Sequence, residues 1–248
     1  KGDILLYAFL YSTSFLLIGL ISVIIVHYRI NITFCRITIK EIKDIIKDGF
    51  YVFTSSAVIS VMSSTGIFVL GIFYISEYSG YYSAVTKITQ IIAMFYYPIG
   101  QALFPYHSKK YAKSFKDGYS SVVRTAKYIV PIFFIISVCV VMLRKHIVLF
   151  VLGSSFLAAS NLLIVLAFQP LLSIVSNLMG TQILVASGYT KEYSRAFIRG
   201  ALFSILLYFI LGYLFAIWGV AYAAIIGEIF SLLMLYIEVR RLRNFERI

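Results

Sequence analysis

Gly200–Gly227 reads GALFSILLYFILGYLFAIWGVAYAAIIG and carries no charged residue. About 20 apolar residues take an α-helix across the hydrocarbon of a bilayer, and inside it the backbone groups must bond one another. This stretch is too long for one crossing. Ala216-Ile217-Trp218-Gly219 stands near its middle, and a glycine beside an interfacial tryptophan suits a tight turn at headgroup level. Two helices are therefore expected, over 199–215 and 219–239. Working outward, apolar runs predict further helices over 4–27, 50–74, 81–105, 125–143 and 157–186. Composition agrees: of 248 residues, 61% are apolar and 13% charged, and the mean hydropathy is +0.93. Soluble domains are roughly 45–50% apolar and about 25% charged, and a soluble fold could not hide this much apolar surface. The short alternating segments of a transmembrane barrel are missing. The expected fold is an all-α integral membrane protein with about seven transmembrane helices.

Charge gives the sheet of helices a sidedness. The chain has 22 Lys and Arg against 10 Asp and Glu. Eighteen of those cations fall in alternate gaps: Arg29, Arg36, Lys40, Lys43 and Lys47; then Lys109, Lys110, Lys113, Lys116, Arg124 and Lys127; then Lys191, Arg195 and Arg199; then Arg240, Arg241, Arg243 and Arg247. The intervening side has only Lys1, Arg144 and Lys145, with Lys87 inside the third helix. Basic loops stay cytoplasmic, so these gaps and the C-terminus are expected in the cytosol. The positive balance reads as topology and not as a nucleic-acid surface. An odd number of crossings then puts Lys1 outside. The first apolar run, Ile4 to Val26, is longer than the h-region of a signal peptide. The chain is accordingly expected to be the C-terminal piece of a longer transporter-like protein. Between the first two helices, Ile42, Ile45 and Ile46 share one face of a short interfacial helix, with charges opposite.

Polar residues within apolar spans are costly and mark candidate sites. On the third helix Lys87, Gln90, Met94, Tyr97 and Gln101 recur every three or four residues, one face, which should look onto protein or a water-filled cavity. Pro98 is expected to bend this helix, and Pro105 to end it. On the fifth, Gln169, Ser173, Ser176, Asn177 and Gly180 form a second stripe beside Pro170, another flexing point. Ser56, Ser60, Ser63 and Ser64 on the second helix read as packing residues. Gly219, Ala223, Gly227 and Ser231 make a small-residue seam for a neighbouring helix. Glu228 beside that seam is a coupling candidate, or else a hydrogen-bonded packing group.

Enzymatic readings find little support. There is no phosphate-binding G-x-x-x-x-G-K-[ST] loop, no C-x-x-C, no H-E-x-x-H and no G-x-S-x-G. Cys35 and Cys139 are far apart, which argues against a disulfide, and His27, His107 and His146 stand on different loops. No metal and no cofactor is expected.

The third helix and its approach read Leu70-Gly71-Ile72-Phe73, Gly80-Tyr81-Tyr82-Ser83-Ala84, Lys87-Ile88, Pro98-Ile99 and Gln101-Ala102-Leu103-Phe104-Pro105-Tyr106 with Ser108-Lys109. This block resembles the Wzx-type polysaccharide flippases (O-antigen and capsule) of the multidrug/oligosaccharidyl-lipid/polysaccharide exporter superfamily. The likeness continues more loosely through Gly153, Phe156, Pro170, Gly180-Thr181-Gln182 and Gly188-Tyr189-Thr190-Lys191. Thr65-Gly66 stand where many of those proteins carry an acidic–basic pair.

The resemblance implies two six-helix lobes around a central cavity. Residues 1–28 would be the sixth helix, belonging to the N-terminal lobe, 29–49 the cytoplasmic inter-lobe linker, and 50–248 the C-terminal lobe. It further implies a non-enzymatic function. A polyprenyl-pyrophosphate-linked oligosaccharide would be moved from the cytoplasmic to the outer leaflet of the bacterial inner membrane by alternating access. Lys87 would face the pyrophosphate, while Gln90, Gln101, Gln169 and Asn177 would meet sugar hydroxyls and Tyr97 a sugar face. The expected partners are the lipid-linked oligosaccharide, membrane lipids, the transporter's N-terminal half and polysaccharide polymerase machinery, and no nucleic acid. Drug export or peptidoglycan-precursor flipping by the same superfamily is the alternative, ahead of a membrane-embedded polysaccharide-assembly enzyme.

Overall fold

The computed structural model describes residues 2–29 and 38–245. Residues 30–37, with Cys35 and Arg36, lie outside that description, as do Arg247 and the side chain of Ser56. Among the described residues every regular element is helical, and the chain divides into two compact units, 1–48 and 49–248.

In the first unit α1 (Gly2–Arg29) is apolar on all sides. Three of its hydroxyls turn back onto the helix: Thr13 Oγ1 donates to Phe9 O at 2.7 Å, Ser14 Oγ to Tyr11 O at 2.7 Å and Ser22 Oγ to Ile18 O at 2.8 Å. A helix that satisfies its own polar groups this way suits a lipid environment. The amphipathic stretch expected at 37–49 is helical from Ile39, the start of α2 (Ile39–Phe73).

The second unit departs from the expected spans in instructive ways. The third helix is two helices, α3 (Ser76–Met94) and α4 (Tyr97–Tyr111), divided at Phe95–Tyr96. Pro98 sits in the first turn of α4, where its missing N–H costs no helical bond; Phe95 and Tyr96 keep right-handed helical dihedral angles, so the chain winds more tightly there and continues into α4. Pro105 does not end the helix, which continues through it to Tyr111 and gives up only the bond to the Gln101 carbonyl. After α5 (Phe115–Met142) and α6 (Arg144–Leu152), the expected fifth helix is a string of pieces. A 3₁₀ stretch (Ser154–Leu162) leads into α7 (Leu163–Leu166) and α8 (Gln169–Asn177), and a π-helical stretch (Leu178–Val185) follows. Pro170 again opens a new helix, in the first turn of α8.

α9 (Thr190–Phe245) contains the hairpin. Its helix is interrupted at Phe215 and at Ala216, whose φ of 50° is left-handed. The turn thus falls at the start of the expected 216–219 segment, and Gly219 has a different task. Its Cα lies against the Leu211 carbonyl, Gly227 against Ser204, and Gly200 against Ser231. These pairings are antiparallel and leave no room for a Cβ at any of the three glycines. The small-residue seam therefore joins the two legs of this hairpin, where close backbone approach replaces the hydrophobic drive that lipid does not supply.

Long and apolar enough to cross a membrane are Leu6–Arg29, Phe115–Met142, Ser154–Val185 and Thr190–Phe245, with a shorter apolar helix at Ser60–Phe73. The chain is a multi-pass membrane protein. Its second unit packs around two apolar clusters. One joins Val69, Leu70, Tyr82 and Val85 to Leu163, Leu166, Tyr208 and Val220. The other joins Tyr96, Val122, Phe133 and Ile174 to Leu184, Leu235 and Leu242. Beside the second, three basic gaps meet at one end. Arg243 lies 5.7 Å from the centre of the Tyr119 ring, and Arg199 Nη1 is 3.9 Å from Glu238 Oε1. The α4–α5 turn at this end is closed by Ser114, whose hydroxyl accepts from the Asp117 amide at 3.0 Å.

Candidate functional site: a polar cavity between the segmented crossing and the hairpin

A cavity of about 280 Å³ opens where α8 faces both legs of α9. α8 presents Gln169, Ser173, Ser176 and Asn177, which lie on one face because the helix repeats every 3.6 residues. The first leg of α9 adds Tyr193, Ser204 and Tyr208, and the second adds Glu228 and Ser231. Tyr97 enters from the first turn of α4 and Ser63 from α2. A neighbouring cavity of about 370 Å³ shares Tyr97, Asn177 and Thr181 with it and extends to Gln101 and Gln182.

The polar groups are cross-braced. Ser176 Oγ donates to Glu228 Oε1 at 2.8 Å, spanning from α8 to the hairpin. Tyr96 Oη donates to Asn177 Oδ1 at 3.0 Å, and Asn177 Nδ2 donates to Thr181 Oγ1 at 3.3 Å. Asn177 therefore stands in the wall common to both cavities with both ends of its amide held. Gln182, fully buried, donates to the Gly100 carbonyl at 2.9 Å and locks the π-helical stretch to α4. Among the described residues lining the two cavities there is no Lys or Arg, and Glu228 is the acidic residue.

The structure gathers Tyr97, Gln169, Asn177 and the coupling candidate Glu228 around one space, with Gln101 in the adjoining one. It leaves Lys87 and Gln90 exposed on α3, lining neither cavity. The change of winding at Phe95–Tyr96 alters the 3.6-residue spacing on which the stripe from Lys87 to Gln101 was read. Sequence reasoning missed Tyr96, Thr181, Gln182, Tyr193 and Tyr208. Tyr193 stands in a gap that looks like a loop, yet α9 begins at Thr190, two residues after Gly188 turns the chain at φ of 92°. The only sequence signal for it was Gly180, which packs under the Tyr193 ring.

This geometry can hold a neutral polyhydroxyl compound: hydroxyls and amides that both donate and accept, and aromatic rings for C–H faces. The comparisons point the same way. Residues 1–110 match the family described as polysaccharide biosynthesis protein. The chain is 26% identical over 244 residues to the "Putative O-antigen transporter" of Escherichia coli (strain K12), covering 98% of this chain and 59% of that protein. It is likewise 26% identical over 244 residues to the protein of the same name in Shigella dysenteriae, covering 96% of this chain and 60% of that one. The chain thus spans about 60% of the length of these curated relatives. No solved structure matches it. Its first 110 residues are thus similar to that polysaccharide biosynthesis family, and nearly its whole length to proteins named as O-antigen transporters, as the block from Leu70 to Lys109 indicates.

Proposed function

We propose that this chain works within a polysaccharide exporter, as the sixth helix (1–28), the inter-lobe linker (29–49) and the C-terminal lobe (50–248) of a two-lobe flippase. It transports and does not catalyse. Its cargo is an oligosaccharide on a polyprenyl pyrophosphate, turned from the cytoplasmic to the outer leaflet of the bacterial inner membrane. The meeting of the basic gaps at one end, with Arg243 over Tyr119, supports placing that end and the C-terminus in the cytosol.

The observation that carries the reading is the set Tyr97, Gln169, Asn177 and Glu228 around one cavity without a cation. Sugar hydroxyls find partners there, whereas a pyrophosphate would meet the Glu228 carboxyl. The sugar therefore occupies the cavity, and the charged carrier stays outside it, on the exposed side of α3 with Lys87. Alternating access then requires the cavity to bind cargo differently in its two states. The N-terminal half and the polymerase machinery are the partners this reading requires.

The test is lectin accessibility in vesicles holding this chain together with the transporter's N-terminal half, and a polyprenyl-pyrophosphate oligosaccharide on the inner leaflet. Sugar should reach an impermeant lectin outside, and Asn177→Leu should slow its arrival about tenfold, the equivalent of one buried hydrogen bond lost. No acceleration over empty vesicles overturns the reading. Export of a cationic drug is a second reading, favoured by Glu228 as counter-ion; it predicts dye efflux that the oligosaccharide does not compete.

A further inference from the structure

The basic end carries a furrow that sugar transport does not use. Val122, Ala126 and Val130 of α5 line one side at helical spacing, Met179 of the π-helical stretch lies within, and Tyr236 and Val239 of α9 form the other side. The space is about 170 Å³, apolar, and ends at Arg240 and Arg243. A shallow recess of about 370 Å³ adjoins it, sharing Tyr119 and Val123 and adding Arg124 and Lys127. The Arg243 guanidinium, 5.7 Å from the Tyr119 ring centre, stands at the junction of the two. All four cations are exposed, and among the described residues none is within ion-pair distance of a carboxylate; the ion pair at this end belongs to Arg199. Four cations with no carboxylate partner among the described residues, beside a hydrocarbon slot, call for a ligand with negative charge at one end and a chain at the other.

We propose that this furrow binds an anionic phospholipid of the bilayer. Its phosphate lies among Arg240, Arg243, Arg124 and Lys127, and one acyl chain runs along Val122, Ala126 and Val130. The guanidinium groups offer paired N–H donors to phosphate oxygens. The chain direction follows from position: the cations are at the end where basic gaps gather, and Val130 lies deeper in α5. The site stands whether or not the central cavity takes sugar.

Native mass spectrometry of the detergent-purified protein, incubated with dioleoyl phosphatidylglycerol or dioleoyl phosphatidylcholine, tests it. The anionic lipid should stay bound at roughly tenfold lower concentration than the zwitterionic one, in line with the attraction of several basic side chains for anionic lipid. The double variant R240Q/R243Q should lose that preference. K109Q/K113Q, which removes equal charge at the same end outside the furrow, should keep it. Met179→Trp, which fills the slot, should release the anionic lipid while leaving the cations in place, and it decides the matter if the arginine pair fails to fold. Equal retention of both lipids by the unaltered protein overturns the proposal. So does equal loss in the K109Q/K113Q control, or full displacement of the lipid by glycerol 3-phosphate at matched concentration, which would mark a site for soluble phosphate.

Discussion

Ser176 and Glu228 hold the segmented crossing to the hairpin: the hydroxyl on α8 donates to the carboxyl on the second leg of α9 at 2.8 Å. A carboxyl away from bulk water needs such donors, and this one couples the two elements whose separation sets the width of the cavity.

Ser176→Ala should therefore lower the unfolding free energy by about 1 kcal/mol, the usual worth of one hydrogen bond. Thermal unfolding in detergent measures it. Glu228→Gln keeps the volume and an accepting oxygen, so its melting temperature should stay close to that of the parent. If the carboxyl couples transport to an ion gradient, Glu228→Gln should abolish the gradient dependence of flipping; dependence at parental strength removes Glu228 from that role.

Asn177 is the wall shared by both cavities and the acceptor for the Tyr96 hydroxyl. Asn177→Leu strands that hydroxyl and removes an amide from the cargo space. Beyond the roughly tenfold loss of transport set out above, a stability cost of about 1–3 kcal/mol is expected for the unpaired tyrosine. Asn177→Leu combined with Tyr96→Phe should recover part of the stability and none of the transport. Recovery of both would assign Asn177 a purely structural part.

The hairpin seam tolerates no added methyl groups. At Gly200 a Cβ would run into Ser231, and at Gly227 into Ser204. Gly200→Val or Gly227→Val should cost about 1–3 kcal/mol by overpacking, read as a drop in melting temperature. Val at the exposed Gly19, whose Cβ position is open, should leave that temperature nearly unchanged.

His107 supplies a pH dependence. It is fully buried beyond Pro105, with Nδ1 2.8 Å from Ser121 Oγ. Ser121 donates to the Gly118 carbonyl at 2.6 Å, so its oxygen accepts from Nδ1–H, and Nε2 has no partner among the described residues. Burial pushes the imidazole below its ordinary 6.5, because a second N–H would be charged and unpaired. The unfolded chain then binds the proton more readily, so stability is complete above about pH 6.5 and falls as pH drops through that value toward the lowered one. Melting curves between about pH 5 and 8 should show this loss, and His107→Gln should flatten it.

Much of this was legible in the chain, and the rest was hidden for physical reasons. Hydropathy finds apolar length, and the hairpin of α9 follows from it, because Gly200–Gly227 cannot be one crossing. Hydropathy does not distinguish 3₁₀, α and π winding, which bury the same side chains; the string of pieces from Ser154 to Val185 was therefore expected as one helix. The change of winding at Phe95–Tyr96 stands just before Pro98, which signals that a helix cannot pass unaltered but not at which residue the next one starts. Gln169, Asn177 and Glu228 were found because amides and carboxyls in apolar runs are expensive. Tyr193 and Tyr208 were not, since a tyrosine in such a run is ordinary until its hydroxyl is seen to face a cavity.

The glycine contacts along α9 pack its two legs backbone to side chain at Gly200–Ser231 and Gly227–Ser204, the closest approach between them. Legs packed this closely are expected to move together. A change in cavity shape must then come from the crossing before it, where changes of winding at Leu163, Gln169 and Leu178 supply natural joints. Any widening of the cavity would then be a re-threading of one strut against a fixed beam.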